Sequence, residues 1–292
     1  MKILVTGAAG QLGQDLTAEL CARGHEAVGV DLPELDITDA AAVTAKFTET
    51  RPDAVIHCAA WTAVDLAEDE DKKEKVRAVN AAGTAHIAAA AERVGAKMIY
   101  ISTDYIFDGM TVSERPWEAD DAAAPINFYG LTKYEGECAA RALCSRLFIV
   151  RISWVFGVHG KNFVATMLRL GRDRKNLTVV ADQVGSPTFT PDLSRLLADM
   201  VVTEKYGAYH ATNEGFTSWY DFARTIFAEA AKRDPVYADV NVAPVTSAEY
   251  PAKAARPHNS RMSKAALDAA GFARLPSWQD ALGRYLDEVM EK

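Results

Sequence analysis

Short apolar runs alternating with amphipathic stretches set the rhythm of the first half of the chain. KILVTG, EAVGVD, DAVIHCA and KMIYIST are brief and rich in β-branched residues, the pattern of strands covered on both faces of a sheet. Between them apolar positions recur at helical spacing, which predicts helices from Leu12 to about Arg23, from Asp39 to about Thr50, and through VRAVNAAGTAHIAAAAERV. Another helix begins at YGLTK and runs to about Arg141, and the apolar run LFIVRISWVFG after it reads as a sixth strand. Strand and helix in alternation predict an α/β fold, a doubly wound parallel sheet of Rossmann type with helices on both faces.

Beyond Gly157 the rhythm changes. Helical patterns (NFVATMLRLGRD, DLSRLLADMVV, WYDFARTIFAEAAKR, SWQDALGRYLDEVM) mix with short strands (LTVVAD, GAYHATN, VNVAPV), separated by Pro and Gly. This predicts a smaller mixed α/β lobe over one edge of the sheet. The approximate division is residues 1–157 and 158–292, with some later segments returning to the first domain. The frequent alanines reflect helix propensity and close packing of helices on the sheet.

Composition narrows the function. Of 292 residues, 49% are hydrophobic and 25% charged, as in folded soluble enzymes. The formal net charge is -8 and no block of Lys or Arg appears, which argues against nucleic acid and anionic membrane as partners. The opening MKILVTGAAG is too brief for a signal sequence, and no run reaches the roughly 20 apolar residues of a spanning helix. The four cysteines, Cys21, Cys58, Cys138 and Cys144, show no CxxC spacing and no His cluster. Buried reduced thiols, a cytoplasmic location and no metal site are the expectation.

Two local patterns carry chemistry. In GAAGQLG, Gly7, Gly10 and Gly13 lie between a predicted strand and a predicted helix, where bare backbone lets amide groups approach a pyrophosphate at a helix N-terminus. The next strand ends at Asp31, whose carboxylate suits an adenosine ribose and would repel a 2′-phosphate; Leu32 and Pro33 follow, with no Arg. NADH is therefore favoured slightly over NADPH. The second pattern is YGLTK itself: Tyr129 and Lys133 are four residues apart, one helical turn, so that phenol and ammonium can converge on one point.

With STD ending the strand counted as fifth, and YGLTK after it, the chain resembles the extended short-chain dehydrogenase/reductases, and within them the dTDP-4-dehydrorhamnose reductase family. The resemblance runs in order through GAAGQLG, LDITD (35–39), CAAWTAVDLAE (58–68), VNAAGT (79–84), YISTDYIFDG (100–109), YGLTKYEGE (129–137), RISWVFG (151–157), NFVATML (162–168), DQVGSPT (182–188) and RPHNS (256–260). It implies reduction of a nucleotide-sugar 4-keto group by NADH or NADPH. Tyr129 would then be the general acid, Lys133 its electrostatic partner, and Thr103 a donor to the carbonyl oxygen. The resemblance also implies a cofactor lining that includes Gln11, Leu12, Asp36, Ile37, Cys58, Ala59, Ala60, Trp61, Asn80 and Ser102. It implies substrate contacts from Asp104, Tyr105, Phe107, Trp154, Asn162, Phe163, Gln183 and Arg256, the guanidinium being suited to a diphosphate.

Some family members are dimers bridged by a metal on glutamates, one shortly after DQxGxPT. Here Phe189, Thr190, Pro191 and Asp192 follow that segment, so a monomer or a weak homodimer is expected. Two other readings stay open on sequence. One is a related nucleotide-sugar reductase or 4-epimerase; the other is a non-catalytic subunit similar to the regulatory subunit of methionine adenosyltransferase.

Overall fold

The computed structural model describes residues 1–110 and 115–290. The first half runs β1 (Lys2–Thr6), α1 (Gln11–Ala22), β2 (Glu26–Val30), α2 (Ala40–Thr50), β3 (Ala54–His57), α3 (Glu70–Arg77), α4 (Thr84–Val94), β4 (Lys97–Thr103), α5 (Phe128–Leu143) and β5 (Leu147–Ile152). The second half continues with β6 (Val155–Phe156), α6 (Phe163–Asp173), β7 (Asn176–Val180), β8 (Val184–Gly185), β9 (Thr188–Phe189) and α7 (Thr190–Val201). Then come β10 (Gly207–His210), β11 (Thr217–Ser218), α8 (Trp219–Ala231), β12 (Asn241–Val245), α9 (Ala265–Ala270) and α10 (Trp278–Met290).

One six-stranded sheet has the order β10-β5-β4-β3-β1-β2, every neighbouring pair parallel. Period-two alternation splits its side chains between two cores. Ile3, Val5, Ile99, Ile101, Phe148 and Val150 face α1 and α7, while Leu4, Met98, Tyr100, Leu147 and Ile149 face α2, α4 and α5. Burial on both faces is what the continuous apolar runs require. A third core under α6, α8 and α10 holds Phe156, Phe189, Phe222, Trp278 and Tyr285. Among the described residues no helix is long and apolar enough to cross a membrane.

Besides the cysteines, of which Cys21 and Cys138 are exposed where burial was expected, three expectations need correction. The strand that ends in STD is the fourth along the chain, and LFIVRI is the fifth; the sixth strand of the sheet is β10, beside β5. The run LFIVRISWVFG is not one strand. It breaks after Ile152 because Trp154 takes φ +49°, and Val155–Phe156 then pairs with Thr188–Phe189 instead. Thirdly, VRAVNAAGTAHIAAAAERV is not uniformly α-helical: Ala78–Gly83, between α3 and α4, is a wider π-turn. α5 packs closely against that turn. A Cβ added at Gly136 would lie 2.5 Å from both the Asn80 carbonyl oxygen and the Tyr100 hydroxyl.

The sheet order reverses between β1 and β3, whose C-terminal ends both face one crevice. In open α/β sheets ligands bind at such a switch point.

Candidate active site

A cavity of about 830 Å³ follows this crevice from the end of β2 to the start of α8. Its floor is the glycine turn. Gly7 has φ +68°, and a Cβ there would sit 2.7 Å from the Ala59 amide nitrogen; one at Gly13 would collide with the Gly7 carbonyl. Gly10, the N-cap of α1, offers no side-chain cap, so the first amides of that helix are left for an anion. Asp31 stands at one end of the cavity, its carboxylate accepting from the Ala9 amide at 3.1 Å and the Leu32 amide at 2.8 Å. Gln11, Leu12, Asp36, Ile37, Cys58, Ala59 and Ala60 line the same stretch. Hydrogen bonds from the Thr38 hydroxyl and amide hold the Asp36 carboxyl below its ordinary range, and burial pushes the Cys58 thiol up to about 12. Trp61 and Asn80 stand behind this wall. Asn80 ties the turn to α5, accepting from the Trp61 amide at 2.8 Å and donating to the Thr132 hydroxyl at 3.1 Å.

At the inner end three elements converge. Thr103 ends β4, and Tyr129 and Lys133 occupy the first turns of α5, whose N-cap Asn127 accepts from the Gly130 amide at 2.7 Å. All three line the cavity. Burial raises the Tyr129 phenol above its ordinary value, opposed by a hydrogen bond with Thr103. Lys133 is nearly fully buried, and this pulls its ammonium down to about 7 against the attraction of Glu137. Its Nζ donates to the Ile101 carbonyl at 2.8 Å and lies 4.2 Å from the Tyr100 ring centre. Asp104 is buried with its carboxyl pushed up to about 6 by desolvation. Tyr105 meets Tyr129 edge-on, ring centres 5.6 Å apart. Among the described residues the buried Ser102 hydroxyl has no partner.

The far wall belongs to the second half of the chain. The left-handed turn at Trp154, a conformation that costs a non-glycine residue roughly 1–3 kcal/mol, brings its ring into the cavity wall. The turn is held by the Thr188 amide, donating to the Trp154 carbonyl at 3.1 Å, and the Ser153 hydroxyl, donating to the Ser186 carbonyl at 2.8 Å. Trp219 stacks on Trp154 with ring centres 3.6 Å apart. Other expected substrate contacts lie outside the lining. Phe107 is wholly buried, stacked on Trp117. Asn162 caps α6 and donates to Gln11 at 3.0 Å, and Phe163 packs against Trp219. Gln183 donates to the Ser247 hydroxyl at 2.9 Å, and Arg256 forms a two-point pair with Asp65 at 2.9 and 2.7 Å. Among the described residues no cluster of His, Cys, Asp and Glu is arranged to hold a metal ion.

Over residues 1–291 the chain matches the family model described as RmlD substrate binding domain. It is 39% identical over 288 residues to the dTDP-4-dehydrorhamnose reductase of Aggregatibacter actinomycetemcomitans, covering 96% of this chain and 97% of that one. The chain belongs to the dTDP-4-dehydrorhamnose reductase family. Two solved structures of such reductases are close in shape. The Bacillus anthracis enzyme, in complex with NADP, has 42% identity and a TM-score of 0.91; the ortholog from Clostridium acetobutylicum has 41% and 0.93, each match covering 99% of both chains.

In this dTDP-4-dehydrorhamnose reductase family member, the features of the site fit a dinucleotide. The cradle at Gly7 and Gly13 is one that any Cβ would fill, uncapped amides face it, and an orphaned hydroxyl waits at Ser102. Some residues of the site escaped the sequence reading. Trp219 was legible only as the apolar start of a helix, and Lys161, the second lysine of the lining, as an ordinary loop cation. Ser260, which reaches Asp104, lies inside the quoted RPHNS segment. Nothing local marks any of them as a neighbour of the cavity.

Proposed function

We propose that the protein reduces the 4-keto group of dTDP-4-dehydro-6-deoxy-L-mannose to give dTDP-L-rhamnose, with Tyr129 as proton donor. The observation that carries this reading is the convergence of Thr103, Tyr129 and Lys133 at one end of a cavity floored by a bare glycine turn, in a chain of this family. When bound, a reduced nicotinamide nucleotide supplies the hydride. The glycine turn, Asp31, Ser102 and Lys133 would hold it.

The rest falls to the chain's own side chains. Hydride arrival turns the sugar carbonyl into an alkoxide, a far stronger base than the ketone. Burial keeps Tyr129 fully protonated before that moment, so the donor is loaded when the alkoxide forms. Thr103 and Tyr129 together fix the position of the oxygen, and the charged form of Lys133 favours the tyrosinate left behind. Asp104, Tyr105 and Trp154 would flank the sugar, between walls from both halves of the chain.

The test is reduced-nicotinamide absorbance during incubation with enzymatically generated keto sugar, NADH and NADPH being tried separately. The expected result is stoichiometric oxidation with appearance of dTDP-L-rhamnose. No oxidation with either, by protein that demonstrably binds the cofactor, would sink the reading. A 4-epimerase would interconvert sugars with no net oxidation.

Asp31 should bias the choice of cofactor towards NADH. A charge about 4 Å from a 2′-phosphate in water costs roughly 1 kcal/mol, or about fivefold. The relative from Bacillus anthracis holds NADP, so the bias is one of degree. Asp31→Ala is expected to narrow the ratio of kcat/KM values for NADH and NADPH by about that factor; an unchanged ratio would remove the electrostatic argument.

A further inference from the structure

The cavity lining is short of positive charge for an anionic ligand. Its carboxylic acids are Asp31, Asp36 and Asp104, and its cations are Lys133 and Lys161. Lys133 is buried at the inner end, where its Nζ donates to the Ile101 carbonyl. Arg256, outside the lining, is taken up by both oxygens of Asp65. Lys161 is exposed, and among the described residues no carboxylate pairs with its ammonium. A dinucleotide brings a pyrophosphate, doubly negative at neutral pH. Against it the uncapped start of α1 offers the equivalent of only about half a positive charge.

The loop that carries Lys161 is fixed against the start of α1 at two points one helical turn apart. Asn162 donates to the Gln11 side-chain oxygen at 3.0 Å and to the Gly157 carbonyl at 2.8 Å. One turn along, Asp15 accepts from the Thr190 hydroxyl and has the His159 ring nitrogen at 3.5 Å. Gly160 bends the chain between His159 and Asn162 at φ +75°, where a side chain is disfavoured, and a Cβ there would lie 3.7 Å from that of Gln11. Lys161 is the next residue. Gln11 opens α1 beside the uncapped amides, so this loop, from the second half of the chain, holds a free ammonium near the anion-binding end of a helix from the first.

We infer that Lys161 binds the pyrophosphate of the nicotinamide cofactor, holding it against the glycine turn from the opposite wall. The inference rests on the reading above, in which the cavity takes a dinucleotide. The amides of the turn give direction; Lys161 gives net charge. An ammonium on a flexible four-carbon stem acts on phosphate as a point charge, so its contribution weakens with ionic strength.

The experiment is an equilibrium titration with NADH by nucleotide fluorescence, in the absence of any sugar, so that it reads binding and not turnover. Lys161→Met keeps the apolar stem and removes the charge; its Kd should be roughly tenfold higher than that of the wild type. Lys161→Arg keeps the charge and should retain most of the affinity. Raising salt from about 0.05 to about 0.5 M should weaken the wild type more than Lys161→Met. Equal losses in the Met and Arg variants would overturn the inference, because charge would then not be the cause. An unchanged Kd in Lys161→Met would overturn it too, and a raised KM for the keto sugar in that variant would assign the lysine to the substrate's diphosphate instead. Wild-type protein that binds NADH without reducing the keto sugar would sink the reductase reading, while the comparison of Kd values still decides the role of Lys161. Wild-type protein that binds neither NADH nor NADPH would sink both.

Discussion

Tyr129→Phe is expected to lower turnover by roughly 10² to 10⁴-fold, the usual worth of a positioned general acid, while leaving fold and cofactor affinity near wild type. The lost atom is one hydroxyl. The ring keeps its edge-on contact with Tyr105 and its place in the small cluster with Ala67 and Val76, and no backbone bond of α5 depends on the phenol. Steady-state oxidation of NADPH measures turnover; cofactor titration and thermal denaturation check the other two quantities. Full activity in Tyr129→Phe would mean that another group donates the proton. Loss of activity with an equal loss of stability would mean that the phenol is structural.

The largest expected effect on stability lies one turn beyond Lys133. Glu137 and Arg151 form a bidentate pair at 2.9 Å through both oxygens, their side chains 1% and 4% exposed. Arg151 also donates to the Ala119 carbonyl at 2.8 Å and lies over the Phe107 ring. Removing one partner strands a buried charge, at a cost of about 3–5 kcal/mol. Glu137→Ala is therefore expected to lower the denaturation free energy by about that much. Replacing both residues with apolar ones of similar volume should cost far less, because nothing charged is left unpaired. Equal losses in the single and double variants would show that packing, not charge, sets the cost. Glu137 also helps keep Lys133 charged against the pull of burial, so Glu137→Ala reaches the active site as well.

The sheet, its helices and the glycine turn were legible because each rests on short-range pattern: β-branched runs buried on both faces, helical periodicity, and glycines between strand and helix. Asp39, read as the start of a helix, is the N-cap of α2 and accepts from the Ala41 and Ala42 amides. The misread elements share a cause in long-range packing. GAYH is a strand of four residues, too short to announce that it would take the sheet's outer place beside β5. The break at Trp154 is imposed by partners at Ser186 and Thr188, far along the chain. YGLTK and STD are local motifs that the fold brings together at one end of the cavity, but Trp219 and Ser260 come to it from distant elements, and sequence spacing carries no trace of that approach. Phe107 and Gln183 lie in quoted segments and outside the lining of this cavity, a placement that sequence alone does not give.

The outer position of β10 bears on the order of synthesis. As the chain is made from its N-terminus, β5 is complete long before Gly207–His210 exists. Until then it is a bare sheet edge, and α1 lacks its packing partner α7. Exposed edges and uncovered apolar faces are the usual starting points of aggregation. The nascent chain is therefore most in need of a chaperone during the interval when α6 and β7 are being added, and an early stop codon in that interval would yield an aggregate in place of a smaller working domain.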